Sequence, residues 1–246
     1  MIQFLKRGNE EVSSDYTECL NLSKEIIGTR VFPSNPVNNG LMLNLVGALN
    51  NGTSFETDNK IWKNLVDNYS ISVSNAIWNY EKALIFNGID TQFDSGIGQG
   101  SLTNGYTIVL RINPTEWKNY RGIFGFHNNT KGISGLQYNN GVITAINIGG
   151  SNVIAFSTEQ LSVNKWHIVT IVNDEDGNGR AYINGKLIAS VTGYGKLTAL
   201  GNVIIGRANN SADRYFKGKM SHCLIYNRAL NGEEVKQINN YVINTI

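Results

Sequence analysis

The segment Arg180-Ala-Tyr-Ile-Asn-Gly-Lys-Leu-Ile-Ala-Ser190 constrains this chain more than any other, because Asn184-Gly185 separates two runs of alternating apolar and polar residues. Asn-Gly accepts the two positive φ values of a type I′ turn, whose twist matches that of paired strands, so a tight antiparallel hairpin is expected here. The run before it, Trp166-His-Ile-Val-Thr-Ile-Val-Asn173, is apolar on both alternating faces. Such a strand needs cover on both sides and belongs inside a layered structure. Similar β-branched and aromatic runs recur at 106–112, 122–126, 141–148, 152–156, 203–206 and 219–226, separated by Gly and Asn turns. With 26 glycines and only 3 prolines, the chain can turn often without losing ladder donors. Asn231-Gly-Glu-Glu-Val-Lys-Gln-Ile-Asn-Asn240 opens with a capping residue and places Glu234 at the third helical position, which predicts a short terminal helix. A dozen or so strands and one helix imply an all-β fold: a two-sheet antiparallel jelly-roll sandwich with a short C-terminal helix.

Residues 1–36 differ in texture. They are polar, show little alternation and end in Phe32-Pro33-Ser34-Asn35-Pro36, where two prolines disfavour helix. The expected organisation is an N-terminal arm and linker over 1–36, followed by one sandwich domain over 37–246. The opening carries no long apolar run, so neither a usual signal peptide nor membrane insertion is expected. Twenty-one basic and 19 acidic residues leave a net charge of +2, and no sequence window joins dense Lys/Arg to interleaved aromatics. That argues against nucleic acid as a partner. Cys19 and Cys223 are far apart and lack metal-ligand spacing, so both are read as free thiols.

Several segments taken in order resemble a known family. They are Gly40-Leu-Met-Leu-Asn-Leu45, Ile61-Trp-Lys-Asn-Leu65, Ala83-Leu-Ile-Phe-Asn-Gly88, Lys165-Trp-His-Ile-Val, Ala181-Tyr-Ile-Asn-Gly-Lys-Leu, Ile204-Ile-Gly206 and Phe216-Lys-Gly-Lys-Met continuing to Leu224-Ile-Tyr-Asn-Arg-Ala-Leu230 and Glu233-Glu-Val. Together they resemble the landmarks of laminin G-like, concanavalin A-like jelly rolls of bacterial and phage proteins, over about residues 38–242. The resemblance implies a concanavalin A-like fold, binding of carbohydrate or protein, and often a structural calcium ion. Here Asn87 replaces the usual Asp, and Ser221-His222 replaces an acidic pair. Neutral groups are poor substitutes for hard anionic ligands, so no metal or other cofactor is expected. The first eight residues also resemble the openings of phage tail and baseplate proteins.

Four further places carry residue types that chemistry could use. Asp174-Glu-Asp-Gly-Asn-Gly179 alternates acids as a calcium loop does, but its twelfth position is Gly185, so a hairpin turn is expected. Glycoside hydrolysis needs two facing carboxylates, and no alternating Glu-x-Asp-x-Glu run exists; no catalytic residue is nominated. His167 and His222 lie in apolar strands and read as hydrogen-bonded sheet residues. Gly96-Ile-Gly-Gln-Gly100 lacks the Lys-Ser/Thr of a phosphate loop and reads as a turn.

Turn-rich segments with aromatics remain, and Trp62, Trp78 and Trp166 are assigned to the core instead. The candidate ligand-binding residues are Trp117, Tyr120, His127, Asp213, Arg214 and Tyr215, with Tyr194 a further exposed-looking aromatic. Aromatic faces pack on sugar C–H surfaces while Asn, Asp and Arg bond the hydroxyls. The expected function is therefore a non-catalytic binding or decoration module, virion-borne or extracellular, possessing a cell-surface glycan as possible ligand. Its arm would attach it to other virion proteins in a homo- or hetero-oligomeric assembly. A secreted bacterial carbohydrate-binding module and a glycoside hydrolase are the alternatives.

Overall fold

A computed structural model describes residues 33–246, apart from 68, 74, 76, 127–134, 147–151, 198–200 and 209–213. The expected arm therefore lies outside the described residues except for its last four positions. Its elements are β1 (Leu41–Val46), β2 (Ile61–Lys63), β3 (Ser70–Ser72), β4 (Ile77–Asn79), β5 (Ala83–Asn87), β6 (Phe93–Gly98), β7 (Tyr106–Pro114), β8 (Gly122–Phe126), β9 (Gly135–Asn139), β10 (Val142–Ile146), β11 (Ile154–Ser157), β12 (His167–Asn173), β13 (Gly179–Ile183), β14 (Lys186–Val191), β15 (Asn202–Ile205), β16 (Lys217–Tyr226) and α1 (Gly232–Asn244).

The strands form two large antiparallel sheets, with β2 and β3 paired as a separate two-stranded one. The larger runs β14-β13-β12-β7-β16-β5-β4, and β1 also pairs with β16; the smaller runs β11-β10-β9-β8-β15-β6. β16 pairs with β7 on one side, and on the other first with β5 through Lys217 to Met220 and then with β1 through His222 to Tyr226. The two inward faces make one core. Tyr106, Ile108, Leu110 and Ile112 of β7 contribute alternate positions from the larger sheet, and Phe124, Phe126, Leu136, Ile143, Val203 and Ile205 contribute from the smaller. Ser34–Ile246 is one unit by its internal contacts.

Local sequence accounts for these elements. Asn184 and Gly185 have φ of 51° and 76°, the two positive values the β13–β14 hairpin needs. In α1 the Asn231 side chain accepts from the N–H groups of Glu233 and Glu234, and the Glu234 carboxylate accepts from the Asn231 N–H, a complete capping box. The helix turns Val235, Ile238, Tyr241 and Val242 inward and is tied to the larger sheet where Asn44 Nδ2 donates to Tyr241 Oη at 3.0 Å.

Three expectations need correction. Gly96-Ile97-Gly98 is strand, not turn: Phe93, Ser95 and Ile97 are buried alternately, and Gly96, at φ 74°, lets the Tyr69 ring lie against the backbone. Tyr194 is fully buried, because Gly179 leaves room for its ring where a Cβ would stand 2.6 Å from it. Trp62 and Trp78 are core residues as expected, but Trp166 lies half-buried outside the inter-sheet core, with the Arg111 guanidinium 4.0 Å above its ring.

Both strand histidines are buried and hydrogen-bonded, as the sequence reading held. His167 Nε2 lies 2.9 Å from the Ser162 carbonyl. His222 is the middle of a chain with one consistent set of donors. Arg111 Nη1 donates to Ser221 Oγ, whose hydroxyl faces His222 Nδ1 at 2.9 Å; His222 Nε2 faces Thr245 Oγ1 at 2.9 Å, and that hydroxyl donates to the Tyr241 carbonyl. Burial, and then the Arg111 charge, lower the His222 pKa to about 3, so the ring is neutral. Cys223 is a free, fully buried thiol; Cys19 lies outside the described residues.

Candidate functional site

Two glycines of β8 build the rim on which the candidate residues sit. A Cβ on Gly122 would stand 2.1 Å from the Ala208 Cβ, and one on Gly125 would stand 2.0 Å from the Ala208 carbonyl oxygen. With glycine at both positions, the backbone at 206–208 lies directly against β8. Gly206 N–H donates to the Ile123 carbonyl at 2.7 Å, and Phe216 N–H donates to the Gly206 carbonyl at 2.8 Å. The Arg214 carbonyl accepts from both Gly122 N–H and Ala208 N–H, at 3.0 and 3.3 Å. Tyr215 is thereby bridged to Gly122 on one side and to Arg207 on the other. Three segments distant in sequence are fixed side by side before any side chain is considered.

The side chains pair across these segments. Arg214 lies over the Tyr120 ring, with 4.3 Å from Cζ to centroid, and Arg207 lies over the Tyr215 ring at 4.6 Å. Arg207 Nη1 also donates to Gln92 Oε1 at 3.4 Å. Tyr120 is 44% exposed and sits at φ 69°, held by its N–H bond to the Tyr138 carbonyl. Beside it the Asn119 and Asn140 side chains meet at 3.2 Å. Arg121 Nη1 and Lys217 Nζ both reach the Glu116 carboxylate, at 2.6 and 3.4 Å. Gly88 makes room for that arrangement, since a Cβ there would stand 2.2 Å from Arg121 Nη1.

Of the six nominated residues, the structure brings Tyr120, Arg214 and Tyr215 together. Trp117 is neighbouring but engaged: its Nε1 donates to the Leu161 carbonyl at 2.8 Å, and its ring stacks on Tyr138 at 6.2 Å and leans on Phe216 at 6.5 Å. It supports the rim from within. His127 and Asp213 lie outside the described residues. Sequence reasoning missed Arg207, Arg121, Lys217 and Glu116, which come from segments that only the fold joins. The signal available was the pair of glycines in Arg121-Gly-Ile-Phe-Gly-Phe126, spaced so that another backbone can cross the strand.

Chemically, the rim offers aromatic faces and planar donor forks, the equipment of a binding surface. Glu116 is already ion-paired with two cations. Among the described residues, no three His, Cys, Asp or Glu side chains converge as metal ligands would. Asn87 Oδ1 accepts from the N–H groups of Ile89, Asp90 and Thr91 and closes its own loop. Asp174 Oδ1 does the same for Asp176 and Asn178 in the β12–β13 turn.

Known proteins agree with this architecture. The sequence pattern of the concanavalin A-like lectin/glucanases superfamily matches residues 88–236. Botulinum neurotoxin type E of Clostridium butyricum is 27% identical over 234 residues, covering 93% of this chain and 16% of the toxin. This chain thus spans about a sixth of that relative's length. Among solved structures, Trypanosoma rangeli sialidase in complex with sialic acid superposes with a TM-score of 0.64 at 16% identity, over 92% of this chain and 38% of the sialidase. The binding domain of botulinum neurotoxin DC in complex with SialylT superposes with a TM-score of 0.59 at 17% identity, over 82% of this chain and 52% of that one. At such identities the two structures bear on the fold, and the matched pattern, covering most of the described sandwich, bears on descent. The chain belongs to the concanavalin A-like lectin/glucanases superfamily.

Proposed function

We propose that this protein is a non-catalytic, extracellular carbohydrate-binding module that engages a cell-surface glycan through Tyr120, Arg214 and Tyr215, with Arg207 beside them. One observation carries the reading: two tyrosine rings, each with a guanidinium stacked on it, are fixed at one rim by backbone bonds from three segments. A guanidinium stacked on a ring keeps its N–H donors in its own plane, so each pair joins an apolar ring to planar donors. A saccharide, with C–H faces and hydroxyls, needs that combination. The likeness to a neurotoxin binding domain solved with SialylT supports this reading. Asp213 and His127, which flank the rim in sequence, are assigned to the same site, and Trp117 is assigned a supporting place behind it.

A narrower form of the proposal places the module on a phage virion, attached through residues 1–36 within an oligomeric assembly, with the sandwich at 37–246 facing outward. It rests on the composition and opening of that arm. The neurotoxin relatives favour a secreted setting instead. In either setting the rim is the working surface.

A glycan array probed with the full-length protein and with Tyr215→Ala tests the proposal. Wild type is expected to bind a restricted set of glycans, and the variant to bind them about 1 to 3 kcal/mol more weakly at an unchanged melting temperature. Absence of wild-type binding to any glycan would remove the recognition role and leave structural decoration.

A further inference from the structure

Eight Asn-Gly pairs occur in the sequence, at Asn39, Asn51, Asn87, Asn104, Asn140, Asn178, Asn184 and Asn231. Each is a place where a chain can modify itself. The backbone nitrogen of the glycine, once deprotonated, can attack the asparagine Cγ, because no Cβ on the following residue blocks the approach. Two restraints prevent this in a folded protein. A hydrogen bond to the side-chain amide holds Cγ away, and a hydrogen bond from the glycine N–H withholds the nucleophile. Seven of the eight pairs carry such a restraint. Asn87, Asn184 and Asn231 accept backbone N–H groups at Oδ1, and Asn140 accepts from Asn119 Nδ2. Asn178 Nδ2 donates to Asp174 Oδ2. At Asn51 the side chain holds Ser54 and Glu56, and Gly52 N–H donates to the Leu49 carbonyl. Gly105 N–H, which follows Asn104, donates to the Leu102 carbonyl. Among these pairs Asn39 alone is exposed with neither group engaged, its turn closed by Leu41 N–H donating to the Asn38 carbonyl.

Arg228 acts on the same peptide unit. Its Nε donates to the Asn39 carbonyl at 2.8 Å, while its Nη1 and Nη2 hold the Glu234 carboxylate at 3.0 and 2.6 Å. The Asn39 carbonyl and the Gly40 N–H belong to one amide. When that N–H loses its proton, negative charge spreads onto the carbonyl oxygen, where a guanidinium stabilises it. We infer that Asn39 is the site at which the folded protein deamidates itself, with Arg228 activating the Gly40 nitrogen. The bond from Gly40 N to Cγ forms, the Cγ–Nδ2 bond breaks, and Nδ2 leaves as ammonia with the proton that Gly40 N gave up, giving a succinimide. Water then opens the ring. Attack at the former Asn39 carbonyl carbon, the one polarised by Arg228, breaks its bond to Gly40 N and yields isoaspartate. The free carboxylate of that product is the group Arg228 already touches, so it competes with Glu234 for the guanidinium. The main chain also gains a methylene where room is lacking, since a Cβ on Gly40 would stand 2.7 Å from Asn227 Oδ1 and 3.0 Å from Arg228 Cγ. The start of β1, where Leu41 pairs with Tyr226, has to shift.

The test incubates full-length protein in mildly alkaline buffer, folded and, in parallel, unfolded in urea. Mass analysis of tryptic peptides follows the conversion of each amide to an acid, and isoaspartyl methyltransferase labelling separates isoaspartate from aspartate. In the folded protein Asn39 is expected to convert at least about fivefold faster than any other Asn-Gly pair, the cost of breaking one further hydrogen bond. The unfolded chain should convert all of them without that preference. Arg228→Gln should slow Asn39 about tenfold in the folded protein and lower the isoaspartate share, through loss of a charged donor. Glu234→Gln breaks the same ion pair but keeps the guanidinium, and should leave the Asn39 rate as high as in wild type. A folded-state reaction led by another pair, or none at Asn39 while the unfolded chain converts, would overturn the assignment. Faster conversion in Arg228→Gln would overturn the activating role and make Arg228 a clamp on the turn. The isoaspartate-enriched fraction should melt below fresh protein, and an equal melting temperature would overturn the shift at β1.

Discussion

Acidification should destabilise this protein in a window set by His222. The ring is fully buried, bonded at both nitrogens and held neutral with a pKa of about 3. In the unfolded chain it would titrate near its ordinary value of about 6.5. The native state therefore binds the proton less well than the unfolded state, and the contribution of His222 is complete above about pH 7 and declines as pH falls through the unfolded value. At pH 5 the ratio of the two binding polynomials is roughly 30, a loss of about 2 kcal/mol; by pH 3 the loss is about 4. For a domain of this size, 2 kcal/mol corresponds to a drop of roughly 4 to 8 °C in Tm. The carboxylates of Glu81 and Glu234 are lowered by hydrogen bonds from Lys219 and Arg228, so their stabilising contributions fade only below about pH 4.5. Denaturant melts of wild type and His222→Gln between pH 7.5 and 5 isolate the effect. The variant is expected to be less stable at pH 7.5, and the gap should shrink by about 2 kcal/mol at pH 5. A gap constant with pH would show that His222 is charged, or solvated, in the native protein, and the buried donor chain through Ser221 and Thr245 would be wrong.

Three further outcomes follow from particular residues. Melts with EDTA and with added Ca²⁺ should agree, because Asn87 Oδ1 is occupied by three N–H groups and Ser221-His222 by Arg111 and Thr245; a calcium-dependent rise of several degrees would identify a site elsewhere. Deleting residues 1–32 should leave Tm unchanged, whereas deleting 1–36 should cost about 1 kcal/mol by removing the buried bond from Asn35 Nδ2 to Tyr226 Oη at 3.1 Å. Circular dichroism checks both, and an unfolded product from the shorter deletion would make the arm part of the core. Asn231→Ala should lower stability by about 1 kcal/mol in denaturant titration, since two helix N–H groups lose their acceptor.

The long strands were legible because seven to ten residues suffice to display a period. β12 and β16 were found within two residues of their ends, and the Asn184-Gly185 turn announced its own geometry. β2, β3 and β4, three residues each, cannot display a period at all; of them, the sequence reading reached the β2 segment through the family resemblance, and Trp62 and Trp78 as core residues. β6 was misread because its glycines outweighed its alternation, although Phe93, Ser95 and Ile97 keep strand period. Tyr194 was misplaced because its burial depends on Gly179, fifteen positions away, and no local rule connects them. The rim followed the same logic. Tyr120, Arg214 and Tyr215 could be nominated as turn-segment aromatics and donors, but their partners Arg207, Arg121 and Lys217 join them through backbone bonds across 206–208, 214–217 and β8 that sequence spacing does not encode.

The central claim, that this rim is where a saccharide binds, is tested most directly by mapping amide and arginine side-chain NMR shifts while titrating the tightest-binding array glycan into the full-length protein. The account predicts that the largest changes fall on 116–122, 206–208 and 214–217, including the Arg214 guanidinium. Saturable shifts confined to other loops, with these segments unmoved, would contradict it.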